Sequence, residues 1–232
     1  AEACTGCGAC QASCRFDAIR RVFAPEGRTV YRVESVGCEG CGVCVRACPA
    51  QAIDFPEREA GKWYLSDTRL GPMAHARLQP GGENSGKLVT MVRTEARERA
   101  ESGGLSQVLI DGPPGIGCPV IASITGTSLA VIVTEPTASG IHDLERIMQL
   151  TRHFDVPAAV VINKSDINPD HTGSILDYCR RNTIQVFGEI PYDGEISEAQ
   201  RQGKAIVEYA PDTPASYAIG GIAERIKSSY KE

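Results

Sequence analysis

Four cysteines crowd into eleven residues, Cys4-x2-Cys7-x2-Cys10-x3-Cys14, and the same spacing returns as Cys38-x2-Cys41-x2-Cys44-x3-Cys48-Pro49. A duplicated pattern is an internal repeat and sets the shape of the segment before any propensity does. Thiols this close in one short run would make strained or scrambled disulfides. Structural zinc usually takes two CxxC pairs separated by a longer loop. The residues between the thiols are small: Gly6, Gly8 and Ala9, then Gly40, Gly42 and Val43. Glycine lets the backbone curl tightly around a compact inorganic core and aim N–H groups at its sulfides.

The spacing is that of cubane [4Fe-4S] ligation in bacterial ferredoxins, in which the fourth cysteine of each run serves the other cluster. Cys4, Cys7, Cys10 and Cys48 are then expected to hold one cluster, and Cys38, Cys41, Cys44 and Cys14 the other. Arg15 follows Cys14 where the pattern usually has Pro, which changes the surroundings of that thiol and removes no ligand. Short strands are expected at 18–23, 29–36 and 52–55, the first two around Pro25-Glu26-Gly27. Residues 1–57 resemble a small α+β, two-cluster ferredoxin domain.

The chain has 232 residues, with 24 Lys and Arg against 29 Asp and Glu, for a net charge of -5. That balance argues against a general nucleic-acid binder. The aliphatic runs, such as 129–133, are too short to span a bilayer. Arg20-Arg21 and Arg180-Arg181 are too short for nucleic-acid patches. His75, His142, His153 and His171 form no spaced ligand set. Cys118 and Cys179 lie outside the repeat and read as inert core thiols, although Cys118 opens a helix, where a thiolate is stabilised. The first residue is Ala1 and not Met, which reads as a segment of a longer protein.

Beyond residue 58 the pattern becomes α/β. A hairpin is expected from 63–65 and 73–78 around Gly71-Pro72, then a helix over 87–102. Strands at 107–110, 129–134, 158–163 and 185–190 alternate with helices at 118–126, 140–154, 174–182 and 215–227. This predicts a mostly parallel sheet with helices on both faces. Ligands in such sheets bind beyond the carboxyl ends of strands. The first tip reads Asp111-Gly112-Pro113-Pro114-Gly115-Ile116-Gly117, a carboxylate and a Gly/Pro loop suited to Mg²⁺ and phosphate, or simply a capped turn. Another tip reads Asn163-Lys164-Ser165-Asp166, where the Asn amide suits a purine edge or an ordinary Asx turn. A third reads Ile190-Pro191-Tyr192-Asp193, a loop able to pack beside a base.

The strings DGPPGIGCPVIASITG, TEPT, VVINKSD and EIPYD resemble the MinD/ParA-type P-loop ATPases. With the cysteine module ahead of them, essentially the whole chain is similar to members that carry an inserted ferredoxin domain. The resemblance implies a P-loop NTPase-type sheet over 58–232 whose N-terminal strand is absent. It assigns Asp111 as the switch II/Walker B acid, Gly115 as the phosphate sensor and Asn163 as an adenine contact; the Gly117 N–H is expected to face the terminal phosphate beside Gly115, and Lys164 is counted with the nucleotide-binding residues. Pro191, Tyr192 and Asp193 become the loop beside the base. It further implies ATP and Mg, a nucleotide-dependent homodimer, a redox partner or apo-protein acceptor, and a cytoplasmic location.

The family's phosphate loop, of the form GKGGTGKT, is absent. Gly81-x4-Gly86-Lys87 imitates it, but Leu88 replaces the hydroxyl that would hold Mg²⁺. The better reading is a turn and helix start, with Glu83, Asn84 and Ser85 as capping residues. Three functions are therefore expected to compete. One is an iron–sulfur ATPase that couples nucleotide state to electron transfer. The second is a cluster carrier or assembly factor. The third is an electron-carrier module on an ATPase core that cannot hydrolyse ATP.

Overall fold

The structure is a computed structural model that describes residues 3–25, 27–35, 37–57, 59–79 and 85–229. Glu26 of the expected turn and Gly81, Gly82, Glu83 and Asn84 of the phosphate-loop imitation lie outside the described residues. Two compact units divide the chain, 1–108 and 109–232.

In the first unit each cysteine run carries a single short helix, α1 (Ala9–Ala12) and α2 (Val43–Ala47). The repeat is visible in the backbone at an offset of 34 residues, from Cys4 to Cys38. Gly6 and Gly8 have φ of 72° and 77°, and Gly40 and Gly42 have 62° and 69°. Asp17 and Gln51, three residues beyond the last cysteine of each run, are also left-handed, at 50° and 47°. An L side chain at the glycine positions would be strained. At Gly6 it would also collide, because its Cβ would lie 2.7 Å from the Thr29 carbonyl oxygen.

Between the runs, β1 (Ile19–Phe23) and β2 (Thr29–Val33) pair antiparallel, with Arg21 opposite Tyr31. The turn is closed by the Ala24 N–H donating to the Arg28 carbonyl at 2.9 Å. The strand expected at 52–55 does not form. The Ala52 N–H donates to Cys48 Sγ at 3.3 Å, so the backbone donor that would begin a ladder is committed to the thiol. Next, β3 (Gly61–Thr68) and β4 (Gly71–Leu78) form a hairpin in register from Gly61 with Leu78 to Thr68 with Gly71. The tight turn is Arg69-Leu70, two residues before the expected Gly71-Pro72. Pro72 stands inside β4 opposite Asp67, a position a two-stranded ladder tolerates because one side of each strand is unpaired. Helix α3 (Gly86–Ser102) packs on β4, and Ser85 caps it by accepting from the Leu88 N–H.

The second unit runs α4 (Cys118–Ile124), β5 (Ala130–Thr134), α5 (Ala138–His153), β6 (Ala158–Asn163), α6 (Pro169–Arg181), β7 (Gln185–Ile190), α7 (Glu195–Arg201), α8 (Ile206–Tyr209) and α9 (Pro214–Ser228). The sheet is parallel, in the order β5-β6-β7. Alternation along the central β6 builds two cores. Val160 and Ile162 meet Leu144 and Met148 of α5, Ile175 and Cys179 of α6, and Ile184. Ala159 and Val161 meet Phe187 and Ile222 of α9 on the other face. A bulge between Val160 and Val161 shifts the β7 register from Val186 to Gly188. Gly188 is there because α9 comes close: a Cβ would lie 2.7 Å from the Ile222 side chain.

The strand expected at 107–110 is not formed. A strand needs a ladder partner, and no described strand pairs there. Leu109 is 95% exposed. Helices α7 and α8, short and without a long apolar stripe, were not expected. No helix of the described residues is long and apolar enough to cross a membrane.

Candidate iron–sulfur and nucleotide sites

All ten cysteines are free thiols, so the disulfide alternative has no bridge behind it. Their electrostatics sort them into sets. Burial pushes the Cys10 thiol up, and Cys4 and Cys48 add like-charge repulsion to it. Cys48 comes from the second run, so it stands with the first-run thiols. Burial likewise pushes Cys44 up, with Cys38 and Cys41 as its neighbours. Cys4 differs. The N–H groups of Gly6 and Tyr31 hydrogen-bond to it and the Arg28 cation adds to them, so its thiol is held below the usual range. No three His, Cys, Asp or Glu side chains among the described residues converge on a single-ion site.

These residues fit cubane clusters. Paired left-handed glycines open each run, N–H groups point at Cys4, Cys10, Cys44 and Cys48, and aromatic groups cover the loops. A Cβ on Gly8 would lie 2.9 Å from the Tyr31 hydroxyl, and one on Gly42 would lie 3.5 Å from the Phe55 ring. Bound clusters would supply one-electron chemistry, while the chain supplies the thiolates, the N–H donors and the cover.

In the second unit the carboxyl ends of the three strands are tied to one another. Lys164 Nζ lies 2.8 Å from Glu135 Oε1, and Asn163 Nδ2 donates to the same oxygen at 3.5 Å. Lys164 holds φ of 53°, which turns the chain sharply out of β6. The Ser165 N–H donates to the Ile190 carbonyl at 3.0 Å, and the Tyr192 N–H to Asp166 Oδ1 at 2.7 Å. Asp193 Oδ1 accepts the Glu195 N–H at 2.9 Å, and Tyr192 is 61% exposed. Asn163, Lys164, Pro191, Tyr192 and Asp193 thus share one edge, as the sequence predicts.

Glu135 was not assigned a role from sequence. Its signals were its place in the TEPT string and at a strand tip followed by Pro136. Gly140 allows its turn, since a Cβ there would lie 2.3 Å from the Glu135 carbonyl oxygen. The turn is locked further by the Thr137 hydroxyl accepting from the Gly140 N–H and by His171 Nδ1 on the Pro136 carbonyl at 3.2 Å.

Asp111 is exposed, Gly115 has φ of 87°, and Gly117 begins α4 without a side-chain cap. Cys118 is exposed, which corrects the expectation of a core thiol, while Cys179 is buried among α6 and β6 as expected. The polar groups these loops present are the Asn163 amide, held by Glu135, and the exposed Asp111 carboxylate, which leads into the 112–117 loop. Lys87 lies in the first turn of α3, exposed. No step through a triphosphate follows from these groups alone.

A parallel sheet covered on both faces, with ligand-type loops at its strand ends and a twice-repeated cubane cysteine module ahead of it, defines an iron–sulfur α/β protein of the P-loop NTPase type. The profile described as NUBPL iron-transfer P-loop NTPase matches residues 85–227, and the chain belongs to that family. The 4Fe-4S dicluster domain profile matches residues 3–52. An uncharacterised protein of Methanocaldococcus jannaschii is 32% identical over 195 residues, 83% of this chain and 61% of its own length. The septum site-determining protein MinD of Bacillus subtilis is 29% identical over 170 residues, 70% of this chain and 62% of its own. The MinD cell division protein of Aquifex aeolicus shares the fold, with a TM-score of 0.55 at 22% identity over 71% of this chain and 68% of that one. The chain spans 61% and 52% of the first two curated relatives it matches.

Proposed function

We propose that this chain is an iron–sulfur protein that holds two [4Fe-4S] clusters and, with a phosphate-binding loop supplied from outside these residues, couples ATP and Mg state to electron transfer. Cys4, Cys7, Cys10 and Cys48 ligate the first cluster. Cys38, Cys41, Cys44 and Cys14 ligate the second. The observation that carries the reading is the twice-repeated cysteine run with its paired left-handed glycines, which the 4Fe-4S dicluster profile matches over residues 3–52. The ferredoxin-like domain is taken as 1–57 and the nucleotide-binding domain as 58–232.

In the second domain Asp111, Gly115 and Gly117 serve the metal and phosphate side, with Asp111 as the catalytic acid. Asn163, Lys164, Pro191, Tyr192 and Asp193 serve the base. Ordering of the 112–117 loop by nucleotide is the step that would gate electron flow. The protein works in the cytoplasm as a nucleotide-dependent homodimer and hands electrons to a redox partner. A second reading, a cluster carrier, is favoured by the description of the matched family as iron-transfer. Anaerobic reconstitution followed by exposure to an apo-ferredoxin separates the two. Electron transfer predicts clusters that reduce reversibly and stay bound. Rapid loss of iron to the acceptor overturns it in favour of delivery.

A further inference from the structure

Glu135 stands just beyond β5 with two donors on one oxygen. Lys164 Nζ lies 2.8 Å from its Oε1, and Asn163 Nδ2 lies 3.5 Å from the same atom. The backbone around the carboxylate is fixed. The Thr137 N–H donates to the Glu135 carbonyl at 2.8 Å, and His171 Nδ1 lies 3.2 Å from the Pro136 carbonyl oxygen. Asn163 is the last residue of β6 and follows the buried Ile162. An amide beside a carboxylate has one favourable orientation, because its NH2 can donate to that group while its own oxygen can only oppose it. Asn163 therefore keeps Nδ2 toward Glu135 and turns Oδ1 the other way.

We propose that Glu135 sets the base preference of this edge, by holding Asn163 with Oδ1 toward the ligand so that a 6-aminopurine is accepted and a 6-oxopurine is rejected. The inference rests on the nucleotide-site reading above. An amino group at C6 donates to Asn163 Oδ1. An oxo group at C6 would set one acceptor against another and leave both without a proton. The neighbouring groups contribute less to this choice. Tyr192 is exposed, and an aromatic ring stacks on any purine alike. Asp166 has Oδ1 committed to the Tyr192 N–H at 2.7 Å. Glu135 acts through Asn163 and is a positioning residue.

The test compares ATP with inosine triphosphate, which carries an oxo group at C6, as competitors of a ribose-labelled fluorescent ATP in protein supplied with the phosphate loop. Wild type, Glu135→Gln and Lys164→Met are measured, with the melting temperature as a check on folding. Wild type should prefer ATP about tenfold, the size of one well-placed hydrogen bond. Glu135→Gln keeps the side-chain shape and adds a donor, so Asn163 can turn either way and the preference should fall to about twofold or less. Lys164→Met breaks the ion pair but leaves the carboxylate, and should keep the preference. In the 232-residue chain alone, the Asn163 side-chain amide signal in a nitrogen-15 spectrum should move in Glu135→Gln. A wild type indifferent to the base, an undiminished preference in Glu135→Gln, a lost preference in Lys164→Met or an unmoved amide signal overturns the proposal. A wild-type protein that binds neither nucleotide sinks the nucleotide-site reading itself, whatever the amide signal shows.

Discussion

Glu135 and Lys164 form a 2.8 Å ion pair that bridges the carboxyl ends of β5 and β6, and the oxygen that binds Lys164 also receives the Asn163 amide. A carboxylate only accepts hydrogen bonds, so this arrangement fixes which end of the Asn163 amide faces Glu135 and leaves Oδ1 directed elsewhere. Both charged side chains are 40% exposed, so the pair itself contributes no more than about 1 kcal/mol to stability. Glu135→Ala is expected to leave the melting temperature nearly unchanged. In protein supplied with the phosphate loop it should weaken binding of a fluorescent ATP analogue about tenfold, the cost of one oriented polar contact. A large drop in melting temperature would reassign Glu135 to the fold.

Crossed ligation makes a prediction about double variants. Cys41→Ala should leave about four of the eight irons that two cubanes carry. Cys7→Ala with Cys48→Ala strikes one cluster twice and should leave the same number. Cys41→Ala with Cys48→Ala strikes both and should leave close to none. Iron and sulfide assays on the three proteins check this, and equal iron in the two double variants would refute the crossing.

The two remaining thiols differ in reach. With clusters bound, iodoacetamide should label Cys118, which is exposed, and spare Cys179, which is buried. Burial pushes the Cys179 thiol up, so raising the pH through the ordinary thiol range leaves it neutral and unreactive. Mass spectrometry of native and denatured samples should show one and then two modified sites outside the repeat.

Leu144, 1% exposed, packs from α5 onto Val160 and Ile162. Leu144→Ala should cost about 2–5 kcal/mol, the range for emptying a well-packed aliphatic site. Urea unfolding of the second unit's signal measures it. The cluster spectrum should be unaffected, because none of the residues packed with Leu144 belongs to the cysteine runs.

The isolated 232 residues are expected to bind ATP poorly and not to hydrolyse it. A Mg-ATPase assay that gave phosphate release above a heat-treated control would show that the residues of this chain complete a phosphate site by themselves.

The parts that could be read in the sequence were those fixed by local chemistry. Cluster ligation demands its spacing, so both cysteine runs were legible. The uninterrupted apolar run of β6 could only be a strand buried on both faces, and Asn163, Lys164 and the 191–193 loop were found by looking at its end and its neighbour's. What failed depended on partners. Residues 107–110 have a strand's composition but meet no described strand. The Ala52 donor was taken by a sulfur. Pro72 looked like a turn residue because its open-sided pairing with Asp67 was not visible in one dimension. Glu135 was missed because its importance comes from Lys164, 29 positions away along the chain (164 minus 135).

The outer edge of β5 has a practical consequence. Among the described residues β5 pairs only with β6, and its sequence, Ala-Val-Ile-Val-Thr, holds no charge and no proline. Its Val133 side chain is 63% exposed. Natural edge strands usually carry such gatekeepers against unwanted pairing. This chain, handled alone at high concentration, should therefore self-associate through that edge, and the onset of light scattering should retreat when Val133→Lys is introduced.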